Sequence, residues 1–365
     1  MSHLLKLLSA KVSELFLIAV GSLICGTMTD LSASEDITIT STGQQPRVAV
    51  VGDRVAITYA VGETVMIALS TDGGKTFGAP TKVGVIPKLA AGMRRGPQVA
   101  MTEKALVVAG ISSGDGNMIS WRSLDSGSTW GSPIIINDKP SAAREGLFSI
   151  TAGKGESIWS VWLDLRSGPT KIAMSTSSDG GATWSPNAIL YQAPAGAVCE
   201  CCQPTIAADG TGGIAVMWRN QVAGARDMWM CSSKNGGKNF SKPEKLGNGT
   251  WKLDACPMDG GGVAISGASI QTIWRRATTI FTCQPMQKKE TDLGPGKNST
   301  IAFSGKKVYR SWQNGESIQV MIDDEKAQTI GSGSYPHLAA AMDSTGPVVL
   351  VWQNGSEIKV RRLDL

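Results

Sequence analysis

Four segments of the chain repeat one pattern of serine, then acid or amide, then glycine, then an aromatic ring: residues 70–77, 123–130, 177–184 and 233–240. Their central residues, Asp72, Asp125, Asp179 and Asn235, stand 53, 54 and 56 positions apart. The chemistry suits a tight turn. Asp or Asn bonds its own backbone two residues on, Gly supplies positive φ, and the aromatic ring folds back onto apolar surface. A repeat of roughly 20 to 50 residues, or slightly more, marks solenoids, propellers or arrays. The repeated segment itself reads as structural.

Strand signals recur in a fixed order around each copy. One unit runs through residues 97–101, 105–110 and 117–121, then the Asp motif, then 133–136: four short strands joined by turns. First strands begin near Pro46, Pro97, Leu147, Pro204, Pro257, Ser299 and Pro336, which makes seven units. Five second strands end in Trp162, Trp218, Trp274, Trp312 and Trp352. The last unit has three strands, 336–341, 347–352 and 357–363, and residues 36–42 upstream of the first unit alternate β-branched side chains as a fourth strand would. The expectation is an all-β β-propeller of four-stranded blades, seven of them with six as the alternative, its ring closed by the N-terminal strand. An open solenoid needs polar capping repeats, and none is legible.

Composition agrees: 43 glycines and 11 tryptophans in 365 residues favour strands and turns over helices. The formal charge of +5 is mild and no run of five like charges occurs, so nucleic acid is not expected as a partner. At the N-terminus, Lys6 and Lys11 precede an apolar run, 15–26, and small residues Ser32, Ala33 and Ser34 follow. This reads as an export signal over residues 1–34, with the propeller over 35–365. The apolar run is shorter than the roughly 20 residues a bilayer needs. The mature chain is expected to be periplasmic or secreted, monomeric and without a membrane span.

Export permits disulfides, and beyond Cys25 the chain has Cys199, Cys201, Cys202, Cys231, Cys256 and Cys283. Only His337 remains in the mature chain, which excludes multi-histidine metal sites. Cys199, Cys201 and Cys202 precede one first strand and Cys256 the next, so four thiols meet on adjacent loops. Two readings stay open: two disulfides, or a soft-metal site for copper or zinc with Met258 and Met228 as thioether neighbours. No other cofactor is expected.

Strand order sorts the loops. Those before first strands and between second and third strands emerge at one end, and the Asp motifs emerge at the other. The first end collects Arg94, Arg95, Asp115, Arg144, Glu145, Arg219, Arg226, Arg275 and Tyr335. Guanidinium groups bind carboxylates bidentately, so this end suits an anionic ligand.

The four motifs resemble the Asp-box, or bacterial neuraminidase repeat, of the sialidase superfamily of β-propellers. The Cys-Glu-Cys-Cys run at 199–202 and Cys256-Pro257-Met258 are similar to segments of exported sialidase-like propellers. The resemblance implies an arginine cluster for a sugar carboxylate, an acid for the leaving oxygen, and a tyrosine nucleophile with a carboxylate base. Residue by residue it points to Arg95, Arg275 and Arg310 for substrate, with Asp115 as acid, Asp259 as base and Tyr335 as nucleophile. The chain departs from the pattern at Gly96, at Asp259 in place of Glu, at Pro336 and at Gln353, and sialidases generally have six blades. The expected function is therefore an exo-α-sialidase-type propeller that binds or hydrolyses an anionic glycan. The alternative is a non-catalytic binding or assembly propeller whose cysteine-rich corner is the working surface.

Overall fold

Short runs of apolar and β-branched residues, cut every few positions by glycine-containing turns, leave this chain little choice but antiparallel hairpins. The computed structural model describes residues 35–342 and 346–363, so the expected export signal, residues 1–34, lies outside the described residues. Seven antiparallel sheets form, each of four strands, with an additional short strand in the fourth. Blades 1 to 7 begin with the innermost strands Gln44–Val51, Gln98–Met101, Phe148–Ala152, Thr205–Ala208, Gly261–Ser266, Lys297–Ser304 and Ser334–Ala340. Each innermost strand packs against the next, and the seventh packs against the first, so the ring is closed.

Closure uses the N-terminal strand. Blade 7 is built from Ser334–Ala340, Val348–Asn354, Glu357–Arg362 and, outermost, Ile37–Thr40, which pairs Ile37 with Val360 and Thr38 with Lys359. Asp36 Oδ1 receives a 2.7 Å hydrogen bond from Arg361 Nε, fixing the strand end. No unpaired edge is left between the first and last blades, which is how a ring avoids edge-to-edge association. Among the described residues no helix is long and apolar enough to cross a membrane.

The Asp motifs are superimposable turns between third and fourth strands. In the second copy Ser123 Oγ donates to Asp125 Oδ1 at 2.8 Å and accepts from the Gly127 N–H at 2.8 Å. Asp125 also accepts the Thr129 N–H at 2.9 Å and the Thr129 hydroxyl at 2.6 Å. These bonds, the Thr129 hydroxyl first, hold the Asp125 carboxyl below its usual range. In the fourth copy Asn235 keeps the bonds from Ser233 and from the Asn239 N–H, at 2.9 and 3.0 Å. The rings that end the motifs, Phe77, Trp130, Trp184 and Phe240, are half-buried against the apolar layers between blades. The second-strand tryptophans Trp162, Trp218, Trp274, Trp312 and Trp352 are all buried there.

Candidate functional site

Second strands run toward the end away from the Asp motifs and continue two or three residues past their tryptophans rather than ending there, so the residue that follows each tryptophan lies near that end. Arg219 follows Trp218 and Arg275 follows Trp274. The segments that lead into first strands bring Arg94, Gln203 and Asp259 to the same end, and blade 1 adds Arg47 from its own first strand.

Asp259 is the hub. It is 1% exposed, with Arg94 Nη1 at 3.8 Å from Oδ1 and Arg275 Nη1 at 3.7 Å from Oδ2. Its Oδ2 also accepts the Asn298 N–H at 3.0 Å, while Oδ1 has no hydrogen bond. The chain passes so close here that a Cβ on Gly260 would run into the Gln203 carbonyl. Arg219 is wholly buried and spends its donors on backbone: the carbonyls of Asp259, Arg226 and Arg275 accept at 3.3, 2.6 and 2.9 Å. Its guanidinium lies 5.2 Å from the Trp251 ring, and that of Arg275 lies 5.4 Å from it. Arg275 is the freer of the two, 20% exposed at its side chain and with its Nε lacking a hydrogen-bond partner.

Deeper in the ring, Gln203 Oε1 accepts from Arg94 Nε at 3.2 Å and from Arg47 Nη2 at 3.3 Å. Burial, and then the charge of Arg94, lower the Arg47 pKa to about 9. His337 accepts the Val48 N–H at Nδ1, 3.3 Å away, and is held neutral by burial and by the two arginines. These groups form the polar mouth of a channel of about 450 Å³ lined by the innermost strands. Tyr335 lies within electrostatic reach of Arg94, and its φ of 53° is a strained backbone for a non-glycine residue.

The cysteines occupy the neighbouring corner. A short strand, Ala197–Val198, pairs with the end of the second strand of blade 4 and delivers Cys199 against it, where the Cys199 N–H donates to the Arg219 carbonyl at 2.8 Å. The Cys202 N–H returns to the Cys199 carbonyl at 3.3 Å, and this turn gathers three buried thiols. Cys199 Sγ is 3.6 Å from Cys201 Sγ and 3.4 Å from Cys202 Sγ. Arg226 Nη1 donates to Cys199 Sγ at 3.1 Å, and Met258 packs on the trio. Hydrogen bonds within the trio, Cys201 first, drive Cys199 toward the thiolate, while burial holds Cys202 up at about 12.

Several expected site residues lie elsewhere. Arg310 is apart from the cluster: it stands two positions before Trp312, and its Nη1 donates to the carbonyl of Asp323, in the turn between third and fourth strands at the opposite end. Asp115 is exposed at the expected end, and its Oδ1 is used by the Asn117 N–H in a local turn. No hydrogen bond or ion pair links it to Asp259, Arg94 or Tyr335 among the described residues. Arg95 turns to blade 3, where its Nε donates to the Glu145 carbonyl at 2.6 Å. Cys199, Cys201 and Cys202 come together, Cys256 is exposed, and no disulfide bridges the six described cysteines in this structure. Cys231 and Cys283, on adjacent third strands, are buried in separate apolar layers.

Arg47, Gln203 and His337 are the site residues that sequence reasoning did not single out for the ligand, whereas Arg94 and Glu145 were both placed at this end. At Glu145 burial raises the pKa, opposed by Arg95 and reinforced by Glu200 of the cysteine run.

No protein-family model and no curated protein matches the chain. Among solved structures it is similar to a Hadza microbial sialidase, with a TM-score of 0.53 at 12% identity over 88% of this chain and 66% of that one. It thus spans about two thirds of that sialidase's length. It is similar to the α-L-arabinanase of Penicillium chrysogenum, with a TM-score of 0.52 at 13% identity over 90% of this chain and 97% of that one. An α-L-arabinofuranosidase of Fusarium graminearum gives 0.50 at 13% identity over the same shares. At such identities the likeness establishes the fold alone, a β-propeller.

Proposed function

We propose that the arginine-rich end of the ring binds an anionic glycan through a sugar carboxylate. One observation carries this reading, an imbalance of buried charge. Arg47 and Arg94 are each less than 8% exposed and half-buried Arg275 joins them, whereas Arg219 is held by backbone carbonyls and Arg226 by Cys199. Among the described residues the one buried carboxylate within their reach is Asp259, because Asp164 is taken by Arg166 at 2.8 Å. Buried charge without a partner is costly, and an anion at the mouth of the channel would offset it. Arg275 offers a partly exposed guanidinium to such a group, and Trp251 beside it offers an apolar face to a sugar ring. The names of the similar structures, a sialidase, an arabinanase and an arabinofuranosidase, lend support for a saccharide.

The reading stops at binding. Asp259 is committed to two arginines and the Asn298 amide, and Asp115 has no link to it. Calorimetric titration with sialyllactose and with lactose, which lacks the carboxylated sugar, tests the proposal. Binding of the first alone, lost in Arg275→Ala, is expected. Equal binding of both sugars, or of neither, would sink it. Release of free sialic acid in the same mixture would extend the reading to hydrolysis.

A further inference from the structure

The three-thiol corner offers a chemistry that saccharide binding does not use. We propose that Cys199, Cys201 and Cys202, with the Met258 thioether beside them, bind one Cu(I) ion.

Sulfurs that share one metal ion at about 2.3 Å each stand roughly 3.8 Å apart in tetrahedral geometry. The Cys199 sulfur is 3.6 and 3.4 Å from its two partners, near that spacing and far from the roughly 2.05 Å of a disulfide. The donor set selects the ion. No histidine or carboxylate joins the three thiols, and the apolar group packed on them is a thioether. Soft thiolate and thioether donors favour Cu(I), whereas a structural zinc site wants a fourth thiolate or imidazole. Cys256, the thiol that precedes the next first strand, is exposed and outside the trio.

The surroundings compensate the charge. Three thiolates around one monovalent ion carry two net negative charges. Arg226 meets them directly at 3.1 Å from Cys199, and Arg94 and Arg219 act on Cys202 through space. Met258, whose thioether would be the fourth donor, packs on the trio and has φ 53°, a conformation that a non-glycine residue keeps only where its surroundings enforce it. Each thiol that ligates gives up its proton on binding.

The test uses the full mature chain, reduced and kept anaerobic, with Cu(I) delivered from its acetonitrile complex and bathocuproine disulfonate as competitor. One Cu(I) per chain is expected to be retained, with a sulfur-to-copper charge-transfer band in the near ultraviolet. Cys199→Ser should abolish retention, Met258→Leu should weaken it, and Cys283→Ser should leave it unchanged. Alkylation mapping of the wild type gives a readout that needs no variant: Cu(I) should protect Cys199, Cys201 and Cys202 from iodoacetamide and leave Cys256 reactive. No retained copper, retention unaffected by Cys199→Ser, no protection of the trio, or displacement of Cu(I) by equimolar Zn(II) would each overturn the proposal. Sugar binding is scored separately, so failure of one proposal leaves the other standing.

Discussion

Arg219 Nη2 donates to the backbone carbonyl of Arg275 at 2.9 Å, although the two residues are 56 positions apart. Each follows a buried second-strand tryptophan, so the repeat that places Trp218 and Trp274 between blades also sets their arginines side by side over Trp251. The two then divide the work. Arg219 is consumed by the fold, and Arg275 keeps a partly exposed guanidinium beside Asp259.

That division predicts opposite outcomes for the same substitution. Arg219→Ala leaves three buried carbonyls without their donor and should cost about 3 kcal/mol or more. Arg275→Ala, at a partly exposed ion pair, should change stability by about 1 kcal/mol or less while removing carboxylate-sugar binding. Chemical denaturation of both variants beside the wild type checks the contrast. Equal destabilisation would contradict it.

The Asp motifs are read as structural, and Ser123 is their buried pivot at 2% exposure. Ser123→Ala strips the acceptor from the Gly127 N–H and should cost about 1–3 kcal/mol. Asp125→Asn should be milder, because Asn235 already serves in the fourth copy. Thermal melts should rank wild type above Asp125→Asn and Asp125→Asn above Ser123→Ala. Neither variant should alter ligand binding, since both lie at the opposite end.

His337 supplies a pH dependence whose sign is fixed. Its folded pKa is held well below 6.5 by burial, Arg47 and Arg94, so the unfolded chain takes up the proton first as pH falls. The stability contribution is complete above about pH 6.5 and is lost below it, at up to about 1.4 kcal/mol per pH unit. The slope between about pH 6.5 and 5 should flatten in His337→Gln, followed by urea unfolding. A slope that persists in the variant would assign the effect to other groups.

The backbone at Gly260 has no room for a side chain. Gly260→Ala should force the Asp259 segment away from Gln203 and loosen the Arg94–Asp259–Arg275 arrangement. Weaker sugar binding with the ring still folded, seen by circular dichroism, is the expected result.

The ring was legible because its devices are local. Asp72, Asp125, Asp179 and Asn235 mark the turns, Trp162 to Trp352 mark the second strands, and residues 36–42 supply the strand that the last blade lacks. The site was less so, because it is assembled from single residues of different blades. Arg310 was chosen as the arginine of its strand, yet counting from the tryptophan would have put Gln313, which follows Trp312, in the place that Arg275 has after Trp274. Arg47 carries no loop signal, because it lies within the first strand of blade 1 rather than on a segment leading into it. Gln203 and His337 carry no sequence signal of their own, since their roles follow from burial beside Arg47 and Arg94.

The central claim, that an anionic sugar binds at the arginine-rich mouth, is tested most directly by the structure of the complex with sialyllactose. The account predicts the carboxylate within hydrogen-bond distance of the Arg275 guanidinium, beside Asp259 and over Trp251. A ligand seated at Arg310, or at the channel end marked by Asp209 and Met342, would contradict it.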